Sequence, residues 1–94
     1  MRCAKIDANQ REIVKAFKQL GYSVEHLHAV GGGVPDLLIG KHGKNWLIEV
    51  KDGSKPPSAR CLTPDQVTWH SKWQGQVSVI KNIDEVLEFD RATT

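Results

Sequence analysis

Two short apolar runs, Pro35–Gly40 (PDLLIG) and Trp46–Lys51 (WLIEVK), lie close together in the chain. The link between them, Lys41-His42-Gly43-Lys44-Asn45, is too short for a crossover and rich in turn residues, so the runs are expected to pair as an antiparallel hairpin. With the turn centred between His42 and Gly43, Asp36 stands directly opposite Glu49. Side chains alternate with period two, so Lys51 shares the face of Glu49. A one-residue slip would destroy this relationship. Opposed carboxylates repel and weaken a sheet, and unpaired charge beside buried apolar runs is costly. A divalent cation between them removes both objections, and hard oxygen ligands suit Mg2+ or Mn2+. The competing reading is a solvated Glu-x-Lys alternation, with Asp36 a turn residue after Pro35.

Upstream, Asp7 reads as an N-cap, with Gln10 completing a capping-box pattern. Ile13, Val14, Phe17 and Leu20 form one apolar stripe, which predicts a helix ending at Gly21. Glu12 lies on the flank of that stripe and reads as a solvated helix charge. Tyr22–His28 (YSVEHLH) alternates as a strand does, with His26 and His28 on one face. Two histidines without a third ligand are more often surface or hydrogen-bonding residues than a metal site. Gly31-Gly32-Gly33 is either a flexible link or a place where backbone approaches a phosphate with no Cβ in the way.

Downstream, Asp52–Arg60 is a loop by composition, extended at Pro56-Pro57. Lys55 and Arg60 are either solvated there or in contact with phosphate beside Lys51. Thr63, Pro64 and Gln66 open a second helix as N-cap, first residue and capping-box partner. Gln66 is thus either a cap alone or a site residue as well. Val67, Trp69, His70 and Trp73 give the helix a bulky side, for packing on the sheet or at a dimer contact. Gln76–Lys81 (QVSVIK) is a last strand. Asn82 or Asp84 then starts a short helix carrying Val86, Leu87 and Phe89, and the tail from Arg91 is expected to fray.

Ninety-four residues suit a single domain, 1–94. A net charge of +2 permits nucleic-acid binding without demanding it. Cys3 and Cys61 match no metal spacing and read as free thiols in a reducing compartment. No apolar run approaches the roughly 18–20 residues of a membrane span, and no signal-peptide pattern opens the chain. A cytoplasmic protein without membrane contact is expected. A small core and three tryptophans favour a homodimer.

The order helix, strand, Pro-Asp strand, Glu-x-Lys strand, helix resembles the PD-(D/E)xK nuclease superfamily. More narrowly, Gly33-Val34-Pro35-Asp36, Glu49-Val50-Lys51 and Leu62-Thr63-Pro64-Asp65-Gln66 are similar to the small VRR-NUC endonucleases, over Glu12 to about Val86. The resemblance implies an α/β fold of order αβββαβα. Its four-stranded mixed sheet is an antiparallel meander plus one parallel strand, flanked by helices. It further implies a metal-dependent DNA endonuclease acting on duplex or branched DNA at a junction, flap or nick, leaving 5′-phosphate and 3′-hydroxyl ends. Asp36, Glu49 and the backbone carbonyl of Val50 would hold Mg2+ or Mn2+. Lys51 and Gln66 would act in catalysis, and Glu12 would reach the metal through water. Gly32, Gly33, Lys55 and Arg60 would contact the DNA. The alternative is a non-catalytic nucleic-acid-binding module on the same scaffold.

Overall fold

The computed structural model describes residues 6–94, so Cys3 lies outside the described residues. The elements are α1 (Gln10–Gln19), β1 (Ser23–His26), β2 (Leu37–Lys41), β3 (Lys44–Val50), a 3₁₀ turn (Pro57–Ala59), α2 (Pro64–Lys72), β4 (Val77–Ile80) and α3 (Ile83–Thr93). One sheet has the order β1-β2-β3-β4. The first three strands are antiparallel neighbours, and β4 runs parallel to β3 after the α2 connection. This is the mixed sheet expected from the sequence.

The β2–β3 register is also the expected one. Leu37 pairs with Ile48 and Lys41 with Lys44. His42 and Gly43 form the two-residue turn, with φ of 55° and 74°. Positive φ at both positions matches the right-handed twist of a hairpin. Glycine accepts that conformation freely, and histidine is among the residues that tolerate it.

Alternation sorts the strands into two faces. Leu37, Ile39, Trp46, Ile48, Val50 and Ile80 are buried in one cluster with Ile13, Val14 and Phe17 of α1 and Val86 of α3. Edge-to-face ring contacts join Phe17, Tyr22, Trp46 and Phe89 inside it, at centroid separations of 5.3–6.1 Å. Trp46 is therefore covered by its own chain and is not surplus aromatic surface. On the other face, Leu38, Leu47, Val77 and Val79 are only half-buried, and α2 contributes no buried residue to cover them.

Several element boundaries differ from expectation. The N-cap of α1 is Asn9, not Asp7. Asn9 Nδ2 donates to the carbonyls of Lys51 (3.1 Å) and Lys81 (2.9 Å), which pins the helix start to the ends of β3 and β4. Strand β1 stops at His26, so His28 lies in a turn closed by Val30 N–H donating to Leu27 O. Strand β2 begins after the Pro-Asp pair, since Pro35 has no N–H to give a ladder. The loop after Lys51 coils into the 3₁₀ turn immediately after an extended Pro56. Helix α3, capped by Asn82, continues through Thr93 and does not fray at Arg91. Tyr22 Oη donates to Asp90 at 2.9 Å, and Lys41 Nζ stands 3.4 Å from the same carboxylate, holding the last turns. No helix among the described residues is long and apolar enough to cross a membrane.

Candidate active site

The hairpin places Asp36 one step before β2 and Glu49 near the end of β3. Asp36 is 8% exposed and Glu49 1%. The Asp36 main-chain carbonyl accepts from Leu27 N–H at 2.7 Å, and its Oδ2 accepts from Val50 N–H at 2.8 Å. Both bonds fix the carboxylate against the edge of β3. Burial, and then hydrogen bonding and charge from Asp36, push the Glu49 pKa up to about 9. The site therefore strongly resists two negative charges side by side.

Two residues further on, Lys51 shares the Glu49 face and is nearly buried. Its Nζ donates to Gln66 Oε1 at 2.7 Å. The same oxygen accepts from Thr63 N–H at 2.9 Å, while Gln66 N–H donates to Thr63 Oγ1, which completes the capping box. Gln66 Nε2 reaches the other way and donates to Glu49 Oε2 at 3.0 Å. An amide oxygen has two lone pairs and an amide nitrogen two hydrogens. Gln66 thus caps α2 and bridges Lys51 to Glu49 with one side chain, and the two roles do not compete.

Above these residues lies a cleft of about 780 Å³, lined among others by Asp7, His28, Asp36, Lys51, Lys55 and Gln66. Glu49 does not line it but is bonded to Gln66, which does. Lys55 is 3.9 Å from Asp7 across one wall. Asp7 feels the charges of Lys51, Lys55 and Asp36, but burial dominates and raises its pKa.

Asp36, Glu49, Lys51 and Gln66 are brought together, with the Val50 backbone beside them. Glu12 is not: it is exposed and faces a separate depression shared with Asn9, Asp52 and Asp84. Arg60 turns back into its own loop, where Nη1 donates to the carbonyls of Gly53 (2.9 Å) and Lys55 (3.2 Å). Gly32 and Gly33 both line the cleft in positive φ. A Cβ on Gly33 would lie 2.4 Å from the Asp65 carbonyl oxygen, whereas one on Gly32 would meet open space. Gly33 is thus required for the packing of α2, whereas a side chain at Gly32, as at Gly31, would stand in open space.

Sequence reasoning missed two residues. Asp7, expected as a helix cap, lines the cleft instead, and Asn9 takes the cap position. His70, expected on a bulky helix side, stands four residues from Gln66, which puts both on one face. His70 Nε2 stands 3.7 Å from Glu49 Oε1.

Two carboxylates buried together suit a hard divalent cation. Glu49 Oε1 is buried without a hydrogen-bond partner, which leaves its lone pairs open to a cation, an N–H donor or both. Among the described residues no group of three or more His, Cys, Asp or Glu side chains is placed to hold a metal ion. An ion held by this pair would take its further ligands from backbone, water or phosphate.

No protein-family profile matches the chain, and no curated protein matches it. Among solved structures, one described as a "VRR_NUC domain" is similar, at 26% sequence identity and a TM-score of 0.69. The match covers 94% of this chain and 100% of that one. With its αβββαβα order and mixed sheet, the chain has the VRR-NUC type fold, that of a nuclease-type domain.

Proposed function

We propose that the protein is a metal-dependent endonuclease that hydrolyses phosphodiester bonds of DNA. The observation that carries this reading is the buried Asp36–Glu49 pair beneath a cleft flanked by Lys51. Two buried, adjacent carboxylates are costly without a cation. Asp36, Glu49 and the backbone carbonyl of Val50 would hold Mg2+ or Mn2+. Such an ion supplies charge neutralisation and a hydroxide-like nucleophile near neutral pH.

The rest of the chemistry belongs to the chain. Lys51 commits one N–H to Gln66 and keeps the others for phosphoryl oxygens, where negative charge develops in the transition state. Gln66 fixes the positions of Lys51 and Glu49 relative to each other. Lys55, at the cleft wall, and the open backbone at Gly32 provide sequence-independent contacts to phosphate.

The DNA is duplex or branched, and a homodimer supplies two sites of opposite polarity for two strands. The half-covered sheet face and the exposed Val67 and Trp73 of α2 support a second copy there. The test is incubation with labelled linear, nicked, flapped and four-way DNA, with and without Mg2+ or Mn2+. Metal-dependent cleavage is expected. DNA retention without cleavage would favour a binding module, and neither would reject both readings.

A further inference from the structure

We propose that His70 is a positioning residue for Glu49, holding the carboxylate in the orientation in which it meets a cation. The proposal rests on the metal-nuclease reading and deepens it. Gln66 and His70 lie one helical turn apart on α2, so their side chains leave the same face. Each addresses a different oxygen of Glu49. Gln66 Nε2 donates to Oε2 at 3.0 Å, and His70 Nε2 faces Oε1 at 3.7 Å.

The second contact is unfinished. Glu49 Oε1 and His70 Nε2 are both buried, and neither has a hydrogen-bond partner. The Glu49 side chain is 2% exposed and that of His70 14%. Orphaned buried polar atoms are rare and costly. Here two of them face one another across a gap that a shift of under about 1 Å would close to an ordinary hydrogen bond. A neutral imidazole donates from only one nitrogen, so the geometry requires the Nε2–H tautomer.

A carboxylate with one oxygen on a cation can still rotate about its last bond. Hydrogen bonds from a second shell remove that freedom. With Gln66 and His70 both engaged, the plane of Glu49 is set by α2, not by the strand that carries it.

The experiment uses the full chain, with His70→Leu to remove the donor and His70→Gln to restore an N–H near the Nε2 position. Mg2+ affinity is read by calorimetry, without DNA. His70→Leu should weaken binding by about 10–100-fold, the usual cost of a second-shell loss, and His70→Gln should recover most of it. In wild type, ¹⁵N spectra should show Nε2 as the protonated nitrogen, with its resonance shifting as Mg2+ is added. Wild-type affinity in His70→Leu, or a proton on Nδ1 that ignores Mg2+, would overturn the proposal while leaving the metal reading intact. Absence of Mg2+ and Mn2+ binding by the wild-type chain would overturn both.

Discussion

Lys51 Nζ and Gln66 Oε1 are 2.7 Å apart, so a charged end of β3 is tied to the first turn of α2. Gln66 Oε1 also accepts from Thr63 N–H, which leaves the amide only one orientation, with Nε2 toward Glu49. Replacing Lys51 with Ala should slow DNA cleavage by about 10²–10⁴-fold, as expected for loss of a charge-stabilising group, and far more than it weakens Mg2+ binding. Single-turnover cleavage alongside calorimetry separates the two effects. Near wild-type turnover would remove Lys51 from the chemistry.

Asp36 has a structural duty that Glu49 lacks. Its Oδ2 is the partner of the buried Val50 N–H. Asp36→Ala should therefore lose metal binding and also about 1–3 kcal/mol of stability. Asp36→Asn keeps an acceptor and should lose the metal with much less destabilisation. Urea unfolding of the two variants checks the difference, and equal stabilities would deny the role of that hydrogen bond.

Glu49 makes stability depend on pH in an unusual sense for a carboxylate. Its pKa is raised from 4.5 to about 9, so between these values the folded chain keeps a proton that the unfolded chain has released. Stability in a chelator should therefore fall as pH rises through that window, by up to about 1.4 kcal/mol per pH unit. Glu49→Gln should flatten the slope. Because a metal must displace the proton, Mg2+ affinity should rise with pH below about 9. Denaturant titrations and calorimetry in buffers of different ionisation enthalpy measure the two arms. A pH-independent affinity with no proton release would contradict both.

The glycine loop offers a paired test. Gly33→Ala drives a Cβ into the Asp65 carbonyl at φ +86°, while Gly32→Ala enters open space at φ +66°. The second change should cost about 1–2 kcal/mol, the ordinary penalty of left-handed backbone, and the first clearly more. Thermal melts decide the ranking, and equal costs would show that the loop relaxes away from α2.

A second copy should cover the half-exposed sheet face and α2. Sedimentation equilibrium at micromolar concentration should give a dimer for wild type and a monomer for Trp73→Glu, since Trp73 is 46% exposed and stacked on Trp69 at 4.7 Å. A wild-type monomer that makes only single-strand nicks would refute the paired-site arrangement without touching the metal site.

The β2–β3 register was legible because a two-residue turn leaves little freedom, and the expected Asp36–Glu49 opposition followed from it. The capping box of α2 was legible because Thr63 and Gln66 are local to each other. What escaped depends on distant partners. Asn9 displaces Asp7 as the helix start because it bonds carbonyls 42 and 72 residues away. Arg60 folds onto its own loop because the unforeseen 3₁₀ turn brings free carbonyls within reach. The role of His70 is not local to its helix, because it depends on Glu49, 21 residues away on β3.

Helix α2 has no buried apolar side chain. Most helices are held down by an oily stripe that tolerates exchange of one apolar residue for another. This one is latched by directional polar bonds from Gln66 to Lys51 and Glu49, and by the close approach of Gly33. A catalytically dead variant made at Lys51 or Glu49 is therefore not a passive copy of the protein. It is also a protein with a loosened helix, and any DNA trapped on it will report the missing latch together with the missing chemistry.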